Sequence, residues 1–126
     1  LSLFTDEQFE KLYMNGLSHR ADHIPVAYLV HLELKYQWLI TEISKNNPNI
    51  AYGLFYINKE KPKVGEIDLS FIDQLNNVDN GVFNYPAFQP VDTLAVYKGV
   101  AEERGFIVAM EEYSGALFEK YRKLIY

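Results

Sequence analysis

Between Trp38 and Leu75 the chain sets three β-rich runs between turn clusters and closes them with the start of a helix. The runs are Trp38-Leu39-Ile40-Thr41-Glu42, Ile50-Ala51-Tyr52-Gly53-Leu54-Phe55, and Val64-Gly65-Glu66-Ile67-Asp68-Leu69. This spacing restricts the fold more than any other feature, because connections this short join antiparallel neighbours and cannot accommodate a parallel crossover. Gln37 to Ile43 reads as one strand, with Lys45-Asn46-Asn47-Pro48-Asn49 as the turn after it. Ala51 to Ile57 is the next strand, closed by the turn around Lys61-Pro62-Lys63, and Val64 to Leu69 follows. Upstream, Val26 to Lys35 alternates. Val26, Tyr28, Val30, Leu32 and Leu34 share one face, and Ala27, Leu29, His31, Glu33 and Lys35 the other, which predicts a half-buried strand.

Helices are expected on either side of this meander. Thr5 and Gln8 have capping-box spacing, and Phe4 and Phe9 stand as a hydrophobic staple, so a helix should run from Asp6 to Asn15 and stop near Gly16. Phe9, Leu12 and Tyr13 form its expected core-facing stripe. A loop from Ser18 to His23 follows, and Pro25 holds residue 24 extended. Ser70, with Asp73 three residues on, is placed to cap a short helix to Leu75. Residues 76 to 90 carry Asn76, Asn77, Asn80, Gly81, Pro86 and Pro90 as breakers, with room for one brief strand. Asp92 is placed to cap a helix through Arg104, stapled by Val91 and Val96 and stopped by Gly105. Met110, Tyr113, Leu117, Tyr121 and Leu124 have helical spacing and predict a final helix. The expected architecture is one α+β domain over residues 1–126. It is a mainly antiparallel meander of four or five strands, with an N-terminal helix, C-terminal helices, and the helices on one face or end.

Composition excludes several functional classes. A chain of 126 residues is one domain in size and buries roughly two-thirds of its unfolded surface. With no cysteine, disulfides, thiolate metal sites and a cysteine nucleophile are all out. No apolar run reaches the ~20 residues that span a bilayer, and Leu1 to Phe4 is too short for a signal-peptide core. A cytoplasmic protein without membrane contact is the expectation. Net charge is −5, from 12 basic and 17 acidic residues. The basic residues gather only at Lys59, Lys61 and Lys63, around Glu60, and at Lys120, Arg122 and Lys123. Neither group makes the stripe a phosphate-backbone binder needs, so direct nucleic-acid binding is not expected.

The order of the elements, with Trp38, Thr41, Glu42, Tyr52, Gly53, Leu54, Gly65, Leu69, Ser70 and Leu75 in place, resembles a bacterial family designated domain of unknown function 2958. Phe88 and Pro90 extend the likeness weakly. Ile67 departs from it, standing where the family places an aromatic residue. The resemblance covers residues 4–91 and leaves 92–126 as a helical extension. It implies a chain carried by a plasmid, phage or integrative element, or by its host. It carries over no catalytic residue, because none is established for the family.

Candidate chemistry is sparse. Glu42, Glu66 and Asp68 fall on neighbouring predicted strands, with Glu66 and Asp68 on one face. Convergent carboxylates of this kind hold Mg²⁺ or Mn²⁺ in phosphoryl chemistry, and the competing explanation is a polar sheet face paired with Lys35 or Lys63. His19 and His23 have the i, i+4 spacing of metal ligands but lack an apolar helix around them, so exposed loop residues are expected. His31 should lie half-exposed on the first strand. Ser70 and Ser114 read as helix-end residues, and no glycine belongs to a phosphate-cradling motif. Ten tyrosines and eight phenylalanines exceed what a core of this size needs. The loop Phe83-Asn84-Tyr85-Pro86-Ala87-Phe88 therefore offers Phe83, Tyr85 and Phe88 as a partner-binding surface. The expectation is a non-enzymatic, protein-binding accessory domain without cofactors, monomeric, with the final helix packed on its own chain. The alternative is a metal-dependent hydrolase or nuclease using Glu42, Glu66 and Asp68.

Overall fold

A computed structural model describes residues 3–18, 22–110 and 114–126. Helix α1 (Asp6–Leu17) begins at Thr5, whose side chain accepts from the Gln8 amide while the Gln8 side chain accepts from the Thr5 amide, the reciprocal cap its sequence announces. Strands β1 (Ala27–His31), β2 (Tyr36–Ile43), β3 (Ile50–Tyr56) and β4 (Lys63–Asp68) form the antiparallel meander. Helix α2 (Leu69–Asp79) then returns the chain to the far edge, where β5 (Val82–Asn84) pairs antiparallel with β1. The sheet order is β4-β3-β2-β1-β5. Helices α3 (Leu94–Arg104) and α4 (Gly115–Ile125) complete an α+β fold.

Both faces of the sheet are covered, which corrects the expectation of helices on one face or end. Helices α1 and α2 pack Leu12, Leu69 and Ile72 against Ala27, Leu29, Trp38, Ile40, Ile43, Ala51 and Ile67. On the opposite face α3, the extended segment after it and α4 pack Val96, Tyr97, Val100, Ile107 and Phe118 against Tyr28, Val30, Leu39 and Leu54. All five residues of β1 are therefore buried.

The ten-residue strand predicted from Val26 is cut short. It ends at His31, and Leu32 to Lys35 turn the chain so that His31 pairs with Tyr36. This turn has no glycine or proline to mark it, because Lys35 takes the left-handed conformation (φ 61°) that such residues usually supply. Two helix starts also differ. Asp68, not Ser70, caps α2, its Oδ1 accepting from the Ser70 amide at 2.9 Å. Helix α3 starts from Thr93 without a side-chain cap of its own, and Asp22, seventy-three residues away, accepts from the Ala95 amide at 3.1 Å. Asp92 pairs instead with Arg122 of α4 at 2.5 Å. The predicted start of the last helix at Met110 moves to Gly115, while Gly105 ends α3 as expected.

Strand β2 carries a bulge between Ile40 and Glu42. Strict alternation from Ile40 would send Glu42 into the α1/α2 core; the extra residue, Thr41, places Ile43 there instead. Buried Thr41 is satisfied on both sides, its hydroxyl donating to the Tyr52 carbonyl and its own carbonyl accepting from the Asn15 amide group of α1. Gly53 lies beside this bulge, where a β-carbon would stand 2.1 Å from the Leu39 carbonyl oxygen, so no larger residue fits without moving backbone.

Candidate functional site

The three aromatic residues of the 83–88 segment differ in exposure, although the Phe83 and Tyr85 rings meet edge to face at 5.3 Å between centroids. Phe83 lies on edge strand β5 and is 45% exposed. Tyr85 and Phe88 turn inward: the Tyr85 amide donates to the Tyr28 carbonyl, and both rings pack on Tyr28 at 5.7 and 6.0 Å between centroids. Phe88 also meets the ring of buried Tyr97. The segment closes the α3/α4 core and leaves Phe83 as its outward-facing ring.

The three carboxylates divide. The bulge brings Glu42 opposite Tyr52, and Tyr52 opposite Glu66, so Glu42 and Glu66 flank one tyrosine across three strands. They line a shallow cavity of about 410 Å³ together with Ser44, Lys45 and Asn46. Asp68 is outside it, its carboxylate engaged by the start of α2. Among the described residues no group of three or more acidic or histidine side chains is arranged to hold a metal ion. Burial raises the Glu42 carboxyl above its ordinary value, and attraction to His23 partly opposes this.

His23 is buried rather than exposed. Its Nε2 has no hydrogen-bond partner among the described residues and stands 3.8 Å from Glu42 Oε1. His19 lies outside the described residues. His31, expected half-exposed, is 1% exposed, and its Nδ1 accepts from the Leu34 amide at 3.1 Å. It therefore organises the turn to β2, a role that alternation alone could not indicate.

One concavity was not visible in the sequence. At the hairpin end of the α3/α4 face, a cleft of about 500 Å³ opens between the β1–β2 turn, the β3–β4 turn and the segment after α3. Tyr28, Val30, Tyr56 and Phe106 supply its apolar walls, Tyr36 borders it at the hairpin end with its ring packed on Trp38 and Phe71 of the other face, and Leu32, Lys35 and Lys59 line it from the two turns. Gln37 fixes the third wall: its Oε1 accepts from the Ile107 amide at 3.0 Å and its Nε2 donates to the Ile107 carbonyl at 2.8 Å, as a strand neighbour would. The same Nε2 donates to the Tyr28 hydroxyl at 2.6 Å. Burial pushes the Tyr28 phenol up, with the Gln37 bond acting in the other direction. Tyr36 donates to Asn58 Oδ1 at 2.6 Å and so ties the two turns together. The volume falls in the range of small-ligand and side-chain pockets, and the mixture of aromatic wall and few polar groups is typical of them. A sequence signal existed only in retrospect: Tyr28 and Tyr56 lie on separate strands, and only the sheet register brings them to one face.

The chain belongs to a family described as a protein of unknown function, DUF2958, whose model matches residues 3–108. The matched span runs past residue 91 and takes in α3, leaving α4 outside. No curated protein and no solved structure matches the chain.

Proposed function

We propose that this is a non-enzymatic accessory domain of a bacterial mobile element or its host, acting in the cytoplasm as a monomer through contact with a protein partner. The observation that carries this reading is the aromatic cleft. Two tyrosines, Tyr28 and Tyr56, and Phe106 wall a concavity large enough for an anchor side chain. Exposed Leu32 at its rim and Phe106 in its wall give an incoming segment apolar surface to bury. The mobile-element setting comes from the family resemblance. The alternative, a metal-dependent hydrolase or nuclease, draws on the cavity shared by Glu42 and Glu66, but Asp68, its third ligand, serves as a helix cap.

Affinity capture from a bacterial host lysate, quantified against surface variants, tests the reading. Leu32→Asp combined with Phe106→Ser alters the cleft without touching either core. Phe83→Ser alters the outward ring of β5. Partners bound through the cleft should be recovered by wild type and by the Phe83 variant, and lost with the double variant. Equal recovery by all three proteins would end the cleft as the contact surface.

A further inference from the structure

Resting on the reading of the cleft as a partner site, the chemistry of its lining says what kind of segment enters it. Most polar atoms there are already committed. The Gln37 amide is taken by Ile107 and Tyr28, His31 Nδ1 by the Leu34 amide, and the Tyr36 hydroxyl by Asn58. Lys35 and Lys59 also line the cleft, no aspartate or glutamate does, and among the described residues neither lysine forms an ion pair. In a chain of net charge −5 this cleft is thus lined by two lysines and no acidic residue beside its aromatic wall.

The backbone adds an independent observation. Lys35 and Lys59 both hold left-handed conformations, at φ 61° and 59°. Asn58 and Lys59 are the central pair of a two-residue turn closed by the Glu60 amide donating to the Ile57 carbonyl at 3.1 Å, with Asn58 at φ 56°. Such a turn takes glycine most readily at its second central position, and a β-carbon there is strained. Local geometry favours glycine at both positions, yet lysine occupies both, and both residues line the same cleft. Strain of this kind collects where a side chain is needed for something other than the fold.

We propose that the cleft binds a protein segment in which an aromatic side chain stands next to a carboxylate. The aromatic ring packs among Tyr28, Tyr56 and Phe106, and the carboxylate is held by Lys35 and Lys59.

The test compares two capped dipeptides of the same shape, acetyl-Phe-Glu-amide and acetyl-Phe-Gln-amide, titrated into the full chain while amide shifts of the two turns are followed by NMR. The acidic peptide should bind about fivefold more tightly at low salt, the size of a favourable exposed charge pair, and the ratio should shrink as salt screens it. In Lys35→Gly/Lys59→Gly the ratio should fall to one while the melting temperature stays level or rises, since the turns are relieved. Lys35→Gln/Lys59→Gln should lose the ratio without that thermal gain. Equal binding of the two peptides to wild type would overturn the anionic specificity while leaving the cleft as a partner site, which the lysate capture reads separately. Binding of neither peptide overturns the inference, as does a glycine variant that melts below wild type. A short oligothymidylate that shifts the same amides more strongly than the acidic peptide also overturns it, in favour of a phosphate backbone.

Discussion

Glu42 shows how one extra residue in a strand creates an unusual environment for a charge. The bulge at Thr41 swings Glu42 onto the α3/α4 side of the sheet, and burial there raises its carboxyl above the ordinary value of 4.5, against the attraction of His23. A group of this kind holds its proton more tightly in the folded chain than in the unfolded one. As pH rises from near 4.5 through the raised folded value, the unfolded chain gives up its proton first, so this carboxyl's contribution to stability falls. Glu42→Gln removes that term. The variant should therefore gain on wild type across this window, with the difference in unfolding free energy growing as pH rises and levelling off above it. Urea unfolding at several pH values measures it, and a difference that is flat with pH would show that Glu42 titrates alike in both states. The sequence could show that Glu42 lies near Glu66, because strand spacing is regular. It could not show the bulge, since Thr41 is an ordinary strand residue whose displacement depends on Asn15 and Tyr52.

At the scale of elements, strands and capped helices were legible where the signal was local. The reciprocal cap of α1, the Gly105 stop of α3 and the boundaries of β2 to β4 all follow from residues within a few positions of one another. What failed depended on distant partners. Helix α1 buries Leu12 but leaves Phe9 and Tyr13 more than two-fifths exposed, because it meets β2 along a narrow line rather than through a broad stripe. The start of α3 is satisfied by Asp22 and by the His23 carbonyl, neither adjacent in sequence. Helix α4 docks on α3 where Gly99 leaves room for Tyr121; a β-carbon at 99 would lie 2.3 Å from that ring. Gly99→Ala should destabilise the chain by about 1 to 2 kcal/mol, the overpacking cost outweighing the gain in helix propensity. In a Tyr121→Ala background the same change should cost nothing or stabilise. Denaturant midpoints of the four proteins decide this, and an equal cost in both backgrounds would mean that Tyr121 is not what Gly99 accommodates.

The molecule is built on a five-stranded sheet between two cores that share no side chain among the described residues, because alternate residues of each strand point to opposite helical layers. Composition and the meander pattern made the α+β class and the strand count readable, but which helix covers which face is set by the path of the chain, and no local signal encodes it. The cleft was hidden for the same reason, since its walls come from two turns and the segment after α3. Two cores on one sheet could unfold separately or together. The hydrogen-bonded strands favour a single transition, because losing either layer bares one side of β1, which is buried on both. Trp38, the only tryptophan, lies in the α1/α2 core, while fully buried Phe118 of α4 lies in the other. Phe118→Ala removes a ring from a packed site and should cost about 3 to 5 kcal/mol. If the sheet couples its faces, this change lowers the midpoint of Trp38 fluorescence as much as that of far-ultraviolet circular dichroism, although no helix touching Trp38 has been altered. A tryptophan transition that stays at the wild-type midpoint while the dichroism shifts would divide the molecule into two independently folding layers.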